Sequence, residues 1–155
     1  MLPHDLIATA RKLAVSNAKK PRQSDLKRAV STAYYALFHT IAKTSADTLI
    51  GASKAGRPNK AWQQVYRALN HGPAKSACVH RKIAQFPQEV QDFANTFVDM
   101  QANRHRADYD PFERVNKSEV LADIEKVRQV IDGISRVSTK DKKAFAAWVL
   151  LQQRL

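Results

Sequence analysis

The sequence predicts an all-α protein, built as an up-and-down bundle of about five to six helices. Helix formers such as Ala, Leu, Lys, Arg and Gln dominate its 155 residues, and four glycines and six prolines give little of the turn punctuation that a sheet protein needs. Apolar residues recur at intervals of three and four, and there is no strand pattern or internal repeat. A chain of this length builds one hydrophobic core, so we predict a single domain over residues 1–155.

The first two helices are predicted from residue types that begin and end helices. One begins after Pro3 and runs to about Lys19, because Pro21 cannot continue it. The other begins at Ser24, a residue type that caps helix N-termini, and ends at Gly51. This second helix is the longest predicted element. Its apolar positions at helical spacing make it the expected centre of the bundle.

The other predicted helices rest on the same kinds of signal. Asn59 can cap a helix that Gly72 and Pro73 stop, and Pro87 suits the first position of a later helix. The remaining segments are residues 60–71, residues 76–86, Pro87 through Arg104, residues 118–134 and residues 140–155. Residues 76–86 are expected to form a helix or a turn.

The positive charge of the chain is concentrated in its first half. The formal net charge is +12; residues 1–88 contain 15 Lys or Arg and three acidic residues, whereas residues 89–155 contain 11 of each sign. This asymmetry favours a polyanionic partner, with nucleic acid ahead of an acidic protein and of a membrane surface. A basic surface that only maintains solubility is the simpler alternative.

The densest basic cluster brackets the turn between the first two predicted helices, and a smaller one follows Gly51 in a segment of loop-like composition. Together they are predicted to bind a nucleic-acid backbone. Base stacking by nearby aromatic residues is less expected than packing, because those aromatics follow core periodicity. The predicted nucleic-acid-binding residues are Lys19, Lys20, Arg22, Lys27, Arg28, Lys54, Arg57 and Lys60.

Cysteine usage and hydropathy predict a cytoplasmic protein. Cys78 is the only cysteine, so no intrachain disulfide can form and a reducing compartment is expected. The N-terminus lacks the pattern of a secretory leader, and no apolar run is long enough to span a membrane. Three loosely spaced side chains, His71, Cys78 and His80, lack a fourth zinc ligand, so we predict no metal and no cofactor.

Polar residues crowd the end of the helix that carries Phe93, Phe97 and Met100. Another step of four residues places Arg104 on the same buried face, where a guanidinium must be paired or must face a cleft. An arginine beside proton-exchanging groups can bind a phosphate and support proton transfer at a ribose 2′-hydroxyl. The predicted catalytic residues are Arg104, His105, Asp108 and Tyr109.

Simpler interpretations stand beside this one. Arg104 and Arg106 lie at a helix C-terminus, where cations are favoured, and Asp108 can pair with one of them. His39, inside the central helix, is expected to be a hydrogen-bonded core residue. His71 is expected to end a helix, where its charge suits the dipole.

Two segments together resemble a known family, the HEPN domain. They are RAVSTAYYALFH, residues 28–39, and RHRADY, residues 104–109; the second is similar to the Arg-x-x-Ala/Gly-Asp-Tyr signature of a small prokaryotic branch. The resemblance extends over residues 24–134. It implies a helical bundle that forms a homodimer, with the two motif arginines facing a shared cleft.

The resemblance also implies a function. Many HEPN domains are metal-independent endoribonucleases that act as toxins or defence effectors, often beside a nucleotidyltransferase antitoxin. Arg104 matches the family's arginine and His105 its polar neighbour, whereas Tyr109 stands where the nearest catalytic histidine is expected. A tyrosine of ordinary pKa is a poor base at neutral pH.

We therefore expect an RNA-associated toxin or effector, with Arg104 at the scissile phosphate, His105 and Tyr109 assisting, and Asp108 orienting Arg104 or the partner's motif. One alternative is a non-catalytic module that binds nucleotide, nucleic acid or protein. Another is an adaptor that carries a nucleotidyltransferase partner to its substrate.

Overall fold

The computed structural model describes residues 2–16 and 20–152, and its regular structure over those residues is entirely helical. The all-α prediction is confirmed, and the described ranges contain seven α-helices, slightly more than the five to six expected. A short 3-10 helix, Arg81–Gln85, lies between the fourth and fifth. The α-helices are α1 Pro3–Val15, α2 Gln23–Leu49, α3 Asn59–Ala68, α4 His71–Val79, α5 Gln88–Tyr109, α6 Lys117–Ser135 and α7 Thr139–Leu150.

Helix α2 is the centre of the bundle, as the sequence predicts. Its 27 residues extend for about 40 Å at 1.5 Å per residue. It packs against α1, α3, α5, α6 and α7, and Leu37 and Ile41 on it are fully enclosed. These five helices are therefore positioned directly by α2, and α4 contacts it through His71.

Aromatic side chains fill the core between α2, α5 and α7. Phe97 stacks on Tyr34 with ring centroids 5.4 Å apart, and Phe93 meets Phe145 edge-on at 6.3 Å. All four side chains are at most 1% exposed. This packing turns toward the core the face of α5 on which Arg104 also lies.

The helix ends follow local chemistry with small shifts from prediction. Gly51, at φ +148°, follows the end of α2 as expected, but the helix begins at Gln23 rather than at Ser24 as a cap. Asn116 caps α6, because its side-chain oxygen accepts from the backbone N–H groups of Ser118 and Glu119. None of the helices in the described ranges is long and apolar enough to cross a membrane.

The region around residues 68–73 differs from the prediction. The third helix ends at Ala68, and α4 begins at His71, so Gly72 and Pro73 lie in the first turn of a helix rather than stopping one. Proline is tolerated there because the first N–H groups of a helix have no intrahelical partner. Leu69, at the break, is 5% exposed. The prediction that His71 ends a helix is therefore wrong.

The outer helices are also shorter than predicted. Helix α1 ends at Val15 and α7 at Leu150. The predicted nucleic-acid-binding residue Lys19 lies outside the described residues.

Candidate functional site

Arg104 lies near the end of α5, on the face that packs against α2. Phe93, Phe97 and Met100 on this face are buried, and the Arg104 side chain is 15% exposed. The predicted inward orientation of Arg104 is therefore confirmed. Its guanidinium reaches the edge of the core rather than open solvent.

The guanidinium of Arg104 is only partly neutralised. Nη1 lies 3.6 Å from Oδ2 of Asp108 and 3.5 Å from the hydroxyl of Tyr35, both long contacts. Its Cζ lies 5.1 Å from the ring centroid of Tyr34, within cation–π range. Nε is enclosed and has no hydrogen-bond partner among the described residues. Arg104 thus retains capacity to bind an added anion.

Asp108 links Arg104 to α2. The hydroxyl of Ser31 donates to Oδ1 of Asp108 at 2.5 Å, while Oδ2 faces Arg104. One carboxylate therefore contacts both a hydroxyl on α2 and a guanidinium on α5. This contact fits either the predicted orienting role or the simpler ion pair.

A histidine from α4 completes this cluster. Nδ1 of His71 and the hydroxyl of Tyr34 are 2.5 Å apart, and the His71 ring stacks on Phe38 with centroids 4.0 Å apart. Burial, then the charges of Arg104 and His39, lower the pKa of His71 below its usual value. Burial also raises the pKa of Tyr34, outweighing the opposite effect of Arg104. Both side chains are therefore uncharged at neutral pH.

We call this cluster the Arg104 site and use the name for Arg104, Asp108, Ser31, Tyr34, Tyr35 and His71. The sequence predicted two of these residues, Arg104 and Asp108, as site residues. It did not predict that the other four would contact them. Ser31 and Tyr35 are four residues apart and are followed by His39, a polar stripe along α2 that could have indicated them. No spacing rule links His71 to α2, because tertiary packing brings them together.

His39 occupies the next position along the same stripe. Its Nδ1 lies 2.5 Å from the hydroxyl of Tyr66 on α3, and burial lowers its pKa. The predicted hydrogen bond of this histidine is thus present, although its side chain is partly rather than fully buried. His39 is the last residue of this polar stripe, and α3 packs against α2 at this point.

His105 and Tyr109 lie apart from the buried face of α5. His105 is exposed, Tyr109 is 66% exposed, and their ring centroids are 4.9 Å apart. No hydrogen bond between either side chain and Arg104 is present in the described structure. The four predicted catalytic residues therefore form two pairs, Arg104 with Asp108 and His105 with Tyr109, and their catalytic roles stay predictions.

The predicted basic residues fall at the two ends of α2. Lys20, Arg22 and Arg28 are exposed at its beginning, and Lys27 there donates from Nζ to the carbonyl of Asp110 at 3.5 Å. The α5 end that carries the Arg104 site is thus adjacent to these cations. Lys54 and Lys60 are exposed beyond the other end, about 40 Å along the helix.

Arg57 differs from the other predicted cations because its guanidinium is engaged by neighbouring side chains of the protein. Its side chain is 12% exposed and lies 3.5 Å from a carboxylate oxygen of Asp47. It donates from Nε to Asn59 at 3.0 Å, and Cζ lies 4.1 Å from the Trp62 ring centroid. Arg57 therefore fixes the loop between α2 and α3.

Comparison with known proteins gives no relative for this arrangement. No family model matches the sequence, and searches of curated proteins and of solved structures find no match.

Proposed function

We propose that this protein binds RNA, with the guanidinium of Arg104 as the central phosphate contact. The observation that carries the proposal is the incomplete pairing of a largely buried guanidinium, whose Nη1 makes only long contacts to one carboxylate at 3.6 Å and one hydroxyl at 3.5 Å. A phosphate presents several oxygens in a geometry that a guanidinium can bind bidentately. Binding would replace long contacts by short charge-assisted ones.

The surrounding charge supports the same proposal. Lys20, Arg22, Lys27 and Arg28 lie at the end of α2 that the terminus of α5 meets. We call these four residues the α2 basic end. A strand whose phosphate reaches Arg104 can place neighbouring phosphates on these cations. The excess charge of the first half of the chain then has a function beyond solubility.

Arg104→Ala should weaken binding of a fluorescein-labelled single-stranded oligoribonucleotide by about 30-fold or more, as removal of a central anchor typically does. Arg104→Lys keeps the charge but loses the guanidinium fork, so its affinity should fall between the two. Fluorescence anisotropy at fixed salt measures both, and thermal unfolding confirms that each variant folds.

Arg136→Ala is the matched control. Arg136 is exposed at the end of α6, about 28 Å along that helix from the end that lies near the Arg104 site. Its removal should leave affinity within about twofold of the wild type. Equal affinity of Arg104→Ala and the wild type would contradict the proposal.

A second candidate function is metal-independent cleavage of RNA, with the chain as the toxin or effector of a toxin–antitoxin or defence system. Its support is the pair of exposed proton-exchanging side chains, His105 and Tyr109, which follow Arg104 by one and five residues at the end of α5. In such a step the ribose 2′-hydroxyl gives up its proton to a base as its oxygen attacks the phosphorus, and the 5′-oxygen takes a proton from an acid as it leaves. The resemblance of residues 28–39 and 104–109 supports the family role, the homodimer and the nucleotidyltransferase partner.

Incubation of RNA with the purified protein in EDTA tests cleavage directly. We expect fragments with 2′,3′-cyclic phosphate ends, none with Arg104→Ala, and about 100-fold slower cleavage with His105→Ala, the lower end of what general acid–base catalysis contributes. Binding without cleavage by the wild type would leave the non-catalytic module as the function. Cell toxicity that persists in Arg104→Ala would contradict the role of this residue in toxicity.

A further inference from the structure

Two more side chains of the Arg104 site, Tyr35 and His71, carry hydrogen-bond donors and lie near the guanidinium. Cζ of Arg104 lies 5.8 Å from the ring centroid of Tyr35, and the ring centroid of His71 lies 6.0 Å from the same point. Side chains from α2, α4 and α5 therefore surround Tyr35. Arg104 and His71 also both lie beside the ring of Tyr34, so they border the same pair of tyrosines.

The hydrogen bond between Tyr34 and His71 determines which ring nitrogen carries the proton. Tyr34 is fully buried, and within residues 2–16 and 20–152 its hydroxyl has Nδ1 of His71 as its hydrogen-bond partner. A buried hydroxyl needs an acceptor for its proton, and Nδ1 is the acceptor at hand. Tyr34 therefore donates to Nδ1, and neutral His71 carries its own proton on Nε2.

Nε2 of His71 is left without a protein partner. It makes no hydrogen bond within the described residues, and it is not among the fully enclosed polar atoms. His71 itself is held in place by stacking on Phe38 and by the bond to Tyr34. The side chain is thus held in place with an N–H donor that the described residues do not use.

We propose that the Nε2–H of His71 is a second phosphate donor, which binds an oxygen of the same RNA phosphate as Arg104. This inference rests on the proposed RNA binding and adds a residue to it. Tyr34 acts through His71 as a positioning residue, because it fixes the tautomer without touching the phosphate. A neutral imidazole in this role adds a directional hydrogen bond without adding a charge.

Two variants of His71 separate the donor from the ring. His71→Leu removes the donor and keeps an apolar side chain against Phe38, so affinity for the labelled single-stranded oligoribonucleotide should fall about 10-fold or more. His71→Gln retains an N–H near the position of Nε2 and should stay within about threefold of the wild type. Equal losses in both variants, or no loss in His71→Leu, would overturn the inference.

Nitrogen NMR of the unmodified protein tests the same inference without a variant. In the wild type we expect the neutral ring of His71 as the Nε2–H tautomer, with Nε2 shifting when the oligoribonucleotide is added. Tyr34→Phe should release the ring into a mixture of tautomers. An Nδ1–H tautomer in the wild type, or an unshifted Nε2, would overturn the inference.

The two proposals fail in different ways. If the wild type does not bind the oligoribonucleotide, RNA binding and the role of His71 are both wrong. If Arg104→Ala loses affinity while His71→Leu keeps it, the proposed function stands and only the role of His71 is wrong.

Discussion

Phe97→Ala should lower the free energy of unfolding by about 3–5 kcal/mol, the range found when a buried phenylalanine is truncated. Phe97 is completely buried, and its ring packs against Tyr34 on α2. The substitution removes apolar contacts and leaves a cavity between the two longest helices. Chemical denaturation by urea, followed by circular dichroism, measures the loss.

Phe112→Ala is the control for this prediction. Phe112 lies in the segment between α5 and α6 and is 90% exposed, so its ring contributes almost no packing. Its removal should change the free energy of unfolding by less than about 0.5 kcal/mol. Similar losses for Phe97→Ala and Phe112→Ala would contradict the packing of α5 on α2 described above.

Arg22→Gln/Arg28→Gln should reduce the salt dependence of RNA binding. Each phosphate contact on single-stranded nucleic acid contributes about −0.7 to the slope of log K against log salt, so loss of two contacts should make the slope less steep by about 1.4. Both side chains are exposed, and Arg22 precedes the N-terminus of α2, where a cation is unfavourable. The substitution should therefore weaken binding without unfolding the protein. Anisotropy titrations over a salt series give the slope.

Lys140→Gln/Lys143→Gln tests whether location matters rather than total charge. Both lysines are exposed in the first turns of α7, which begins shortly after α6 ends, at the other end of α6 from the Arg104 site. This variant loses the same formal charge as Arg22→Gln/Arg28→Gln. Its slope should match the wild type. An equal reduction in both variants would favour a diffuse electrostatic attraction over binding at the α2 basic end.

The core and the candidate site are physically connected through Tyr34. One face of its ring stacks on Phe97 and the guanidinium of Arg104 lies over the ring, while its hydroxyl bonds to His71. A buried aromatic thus orients both proposed phosphate-binding groups. Changes in the core are expected to alter RNA affinity as well as stability.

Local signals along the chain determined the helical class, the central position of α2 and the inward orientation of Arg104. Each of these depends on periodicity or punctuation within one helix, and such information is contained in neighbouring residues. The same signals placed Asp108 one turn from Arg104, where the two do meet. They failed around Pro73, because a proline that can stop one helix can equally lie in the first turn of the next.

Only the tertiary structure decided the composition of the Arg104 site. Ser31, Tyr34 and Tyr35 come from α2 and His71 from α4, and no rule of sequence spacing connects these helices to the end of α5. By contrast, the separation of His105 and Tyr109 from Arg104 follows from helix geometry within α5, since each step of one residue turns a side chain by about 100°. The sequence by itself therefore determined that an arginine would face inward among polar residues. Which side chains meet it was decided by the packing of the helices against one another.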